Sequence, residues 1–89
     1  SFERQASVGE GLFRLGVQVI AQAQVDGAIR RDLSPGFILA TTLGIAENWF
    51  LKRPWNQHCA DDIPRTAARA NAWYGEQMTR FLRQALAPL

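Results

Sequence analysis

Between Phe37 and Leu51 the chain carries a single charged residue, Glu47. At ~100° per residue, a helix over this stretch spreads apolar side chains around its whole circumference and keeps no face suited to water. Such a helix must be covered on all sides, and that requirement constrains the rest of the molecule. Its start is marked by Asp32-Leu33-Ser34-Pro35, where Ser34 can accept a bond from a free amide as N-cap and Pro35 suits the first helical position. Pro54 is expected to close it. One face gathers Ile38, Ile45 and Trp49, bulky groups suited to a core. Another gathers Phe37, Thr41, Gly44 and Asn48, where small and uncharged polar residues let a neighbouring backbone come close.

The flanking segments also have helical rather than alternating apolar spacing, so the chain is predicted to be all-α with three helices. The first, from Phe2 to Val25, places Val8, Leu12, Leu15, Val19 and Ile20 along one side, widened by Phe13 and Val17, with Glu3, Glu10, Arg14 and Gln18 opposite. Gly9, Gly11 and Gly16 weaken it, and Asp26-Gly27 ends it. Lys52 to Asp62 is predicted as a loop. Asp61 or Asp62 can then cap a third helix that Pro64 helps to begin and that runs to about Leu86. Ile63, Ala67, Tyr74, Met78, Phe81, Leu82 and Ala85 form its apolar stripe, and Arg65, Arg69, Glu76, Arg80 and Arg83 the other side. Trp73 falls on that polar side with Thr66, Ala70 and Gln77, where a large aromatic needs a partner the stripe does not supply.

Two flanking helices can cover about half of the middle one. Exposed apolar area costs roughly 25 cal/mol per Å², so a second chain or a missing domain is expected over the remainder. The simplest symmetric solution is a homodimer in which the last two helices of each chain form an intermolecular four-helix bundle. Its face would comprise Phe37, Thr41, Gly44, Asn48, Ala70, Trp73 and Gln77.

Composition limits the chemistry. Eighty-nine residues, 47% hydrophobic and 20% charged, describe one small globular domain and exclude a large enzyme or a disordered chain. A net charge of +2 gives no electrostatic reason to bind nucleic acid. The single cysteine, Cys59, fits a reducing compartment, and the cytoplasm is expected. No apolar run reaches the ~18 residues of a membrane span, and the first residues do not resemble a signal peptide. The absent initiating Met suggests a piece of a longer protein. His58, Cys59, Asp61 and Asp62 bring four potential metal ligands together, yet no second pair exists to complete a tetrahedral site, so neither metal nor cofactor is expected. Helix capping is the expected role of the aspartates. No catalytic constellation stands out, because His58 has no serine in reach and Glu47 is an isolated acid. Glu47 is either buried, and then paired or protonated, or at a solvated rim. Trp49, Phe50 and Trp55 can line a small-molecule cavity or simply form core.

The stretch Asp26-Gly27-Ala28-Ile29-Arg30-Arg31-Asp32-Leu33-Ser34-Pro35 resembles a junction in the C-terminal, effector-binding domain of TetR-family transcriptional regulators. Leu43 to Phe50 looks like the apolar helix that follows it there, and Pro64 to Leu86 like the terminal helix. The resemblance implies that residues 1–89 are part of a C-terminal regulatory domain, with the N-terminal helix-turn-helix head and early pocket helices absent. It further implies a non-enzymatic role, most simply in a repressor. A small apolar or aromatic effector would shift two DNA-binding heads, and DNA would be contacted only through those heads. Phe13, Val17, Ile20, Ile45 and Trp49 would then wall the effector pocket. Two other readings remain, a helical homodimerisation module without a ligand and a helical enzyme scaffold using Glu47 and His58.

Overall fold

The three segments fold as helices in the order expected, α1 (Phe2–Val25), α2 (Pro35–Cys59) and α3 (Ala67–Ala85), with no strand among the described residues. The computed structural model describes residues 2–89, with side chains from Ser7 onward, so the expected place of Glu3 on the polar face of α1 lies outside the described side chains. The chain divides into two units. One runs to Leu43 and includes Ala87–Leu89; the other spans Gly44–Leu86.

In the first unit, α1 ends where its glycine requires. Gly27 has φ 79°, a left-handed value that a Cβ would make costly. Its N–H donates to the Gln24 carbonyl at 3.1 Å, and the Ala28 N–H donates to Ala23 at 2.9 Å, the two bonds of a Schellman motif. The Arg31 guanidinium then donates to the carbonyls of Gln24 and Val25 at 2.8 and 3.0 Å, placing positive charge at the negative end of the helix dipole. Arg30 and Asp32 form a two-bond fork, both contacts at 2.6 Å. Hydrogen bonding from Arg30 holds the exposed Asp32 carboxyl below its ordinary range.

The Gln24 side chain ties this joint together. It is buried, and its amide donates to the carbonyls of Arg30 at 3.0 Å and Leu33 at 2.7 Å. Gln24→Ala is therefore expected to cost about 1–3 kcal/mol through carbonyls left without a donor, read as a lower urea midpoint. An unchanged midpoint would mean that water replaces the amide without loss. Beyond the joint, the Phe37 N–H donates to Ser34 Oγ at 3.2 Å, the expected N-cap of α2. Ile38 is buried in this unit, and α1 approaches α2 closely at Gly16, where an added Cβ would lie 2.8 Å from Leu39 Cδ2. Gly11 faces open space, so Gly11→Ala should stabilise by roughly 1 kcal/mol. Gly16→Ala should gain less, because Leu39 must leave its rotamer, at a cost of about 0.5–1.5 kcal/mol. Thermal melts of the two variants compare them directly, and an equal gain would mean that Leu39 moves freely.

The second unit departs from expectation at both ends of its loop. Pro54 lies inside α2, which continues to Cys59, so the loop contracts to residues 60–66. A proline interior to a helix forfeits one hydrogen bond, here to the Phe50 carbonyl. Phe50 is exposed, so water can satisfy that carbonyl. The actual stop is made by tertiary bonds. The Gln57 amide donates to the carbonyls of Pro64 and Arg65 at 2.9 and 3.1 Å, and the Arg65 guanidinium returns a bond to the Gln57 carbonyl. The third helix begins at Ala67 rather than near Pro64, capped by Thr66, whose Oγ1 accepts from the Arg69 N–H at 3.3 Å. Asp61 pairs with Arg65 at 3.2 Å instead of capping.

Candidate dimerisation and ligand-contact surfaces

Trp49 organises the second unit. It is 5% exposed and packs with Ile63 and Ala70, with Ala60, Trp73 and Tyr74 around them. The Tyr74 ring stacks on it, centroids 4.4 Å apart and planes 9° from parallel, and Trp73 lies at 6.1 Å with a 46° tilt. Both polar handles are satisfied across the helices. Trp49 Nε1–H donates to Asn71 Oδ1 at 3.0 Å, and the Tyr74 hydroxyl donates to the Ile45 carbonyl at 3.2 Å. Burial pushes the Tyr74 phenol above its ordinary range. Trp49, expected on a pocket wall, is thus a buried core side chain with Tyr74 stacked on one face of its ring. Ile45 is half-buried in the same unit.

Because Trp49 turns inward, other sides of α2 turn outward. Gly44, Asn48, Leu51 and Trp55 follow one another at helical steps of four, three and four, and all are exposed, Leu51 at 73% and Trp55 at 64%. Nothing lies within 4 Å of a Cβ built on Gly44. Phe50 flanks this stripe and is also exposed. On α3, Trp73, Gln77 and Phe81 share a stripe. Trp73 is half-covered by Trp49, Gln77 is exposed and Phe81 is 57% exposed. Ala70 has 0% exposure, so its side chain offers no surface to a partner and contributes only to the core behind the face. Leu51, Trp55 and Phe81 are exposed large apolar side chains that the face expected from sequence does not include. The signal for the first two is the spacing from Gly44 and Asn48, carried on through Pro54.

In the first unit, Phe37 and Thr41 are exposed. Phe13 and Val17, with Glu10, Arg14 and Gln18, line a shallow, open groove along one side of α1. Glu10 and Arg14 pair at 2.8 Å beside the two apolar side chains. Ile20 is half-buried and lies outside the residues that line this groove. The structure therefore brings together two of the five expected pocket residues and places two others, Ile45 and Trp49, in the second unit.

Glu47 is exposed, in keeping with the solvated alternative. His58 and the free Cys59 are also exposed, with the His58 ring 6.1 Å from that of Trp55. Among the described residues, no three His, Cys, Asp or Glu side chains converge as a metal site would require, and no helix is long and apolar enough to cross a membrane. Comparison with family models, curated proteins and solved structures finds no match to this chain.

Proposed function

We propose that this chain is the dimerising and ligand-sensing end of a TetR-like transcriptional regulator acting in the cytoplasm, most simply a repressor. The observation that carries the dimer is the outward stripe of Leu51 and Trp55 on α2, away from the buried Trp49 core. Burying a large apolar side chain gains about 1.5–3 kcal/mol, so covering Leu51, Trp55, Phe50 and Phe81 supplies a strong drive to associate. A second copy provides that cover symmetrically, with α2 and α3 of each chain in a four-helix bundle. Asn48 and Gln77 are the polar members of the face, and Gly44 leaves room for close approach. Phe37 and Thr41 are exposed on the part of α2 that belongs to the first unit.

The ligand-sensing part rests on the groove at Phe13 and Val17 and on the joint that resembles the TetR junction. An apolar or aromatic effector suits a groove with that floor. DNA contact belongs to a helix-turn-helix head outside these residues, and a parent reading frame without one would overturn the regulator reading.

Two experiments test the two halves. Gly44→Leu should weaken the dimer at least tenfold while leaving the fold intact, since the added side chain enters open space in the single chain. Unchanged association in sedimentation would remove Gly44 from the interface. A thermal-shift screen of apolar and aromatic compounds should yield ligands that raise the melting temperature by mass action, with the gain lost in Phe13→Ala. A dimer that no compound stabilises would instead be a ligand-free dimerisation module.

A further inference from the structure

We draw no further inference here: the strongest candidate, the exposed apolar stripe of Val8, Leu12, Leu15 and Val19 along α1, carries none because nothing in the structure shows what covers it.

Discussion

Trp49→Ala is expected to lower stability by about 3–5 kcal/mol, the usual cost of emptying a large aromatic site. Domains of this size hold a total stability on the order of 5–10 kcal/mol, so the variant should lie near the edge of folding at room temperature. The loss has several parts. Tyr74 loses its stacking partner, Trp73 loses the ring that half-covers it, and Ile63 and Ala70 border a void. Trp49→Phe should cost much less, because the phenyl ring preserves most of the contact. The Asn71 oxygen it abandons belongs to an exposed residue and can turn to water. Urea titration followed by far-UV circular dichroism separates these outcomes. Equal losses for the two variants would show that the indole hydrogen bond to Asn71, rather than packing, dominates the site.

The second large effect is expected at the outward stripe. Leu51→Glu combined with Trp55→Glu should weaken association at least a hundredfold, about 3 kcal/mol. Buried tryptophans commonly anchor interfaces, and a two-fold axis places each new carboxylate in the interface twice. The same pair should leave the helical content of the chain unchanged, since both side chains are largely exposed before association and exposed substitutions usually stay within ~0.5 kcal/mol. The contrast between the two experiments is diagnostic. Loss at Trp49 should appear as unfolding, whereas loss at Leu51 and Trp55 should appear as dissociation of folded chains.

The Asp32 carboxyl adds a milder pH effect. Its range is depressed in the folded chain by the Arg30 fork, so the pair contributes above the ordinary carboxylate range, and the contribution is lost as pH falls from there through the lowered range of the folded chain. Asp32 is exposed and Arg30 partly so, and solvent screening keeps the effect small.

The joint between α1 and α2 is legible in the sequence because its chemistry is local. Gly27 supplies a left-handed residue, Ser34 and Pro35 supply a helix start, and each acts on backbone within a few positions. Gln24 is not legible in the same way. Its role depends on carbonyls six and nine residues on, brought near only when the joint closes. Pro54 marks the failure of a local rule, since a proline signals a helix end, yet α2 passes through it and stops where Gln57 and Arg65 exchange bonds across the loop. That continuation moves Trp55 from an expected loop onto an exposed helical stripe. The expected face, read by periodicity as far as Asn48, stops short of Trp55 for that reason, and it passes over Leu51 although Leu51 lies within the expected helix. Ala70 shows a further limit. Spacing places it beside Trp73 and Gln77, but only the position of the Trp49 ring decides that an alanine there is core. The expected pocket residues divide for a related reason, since Phe13 and Val17 share one helix face while Trp49 belongs to the core of the second unit and Ile45 is half-buried there.

In the proposed assembly, the face built from α2 and α3 joins two copies of this chain. Sedimentation equilibrium of the 89-residue chain at micromolar concentration tests it most directly. The expected result is a single species with twice the mass of one chain, shifted to one chain by Leu51→Glu with Trp55→Glu; a monodisperse monomer before substitution would contradict it.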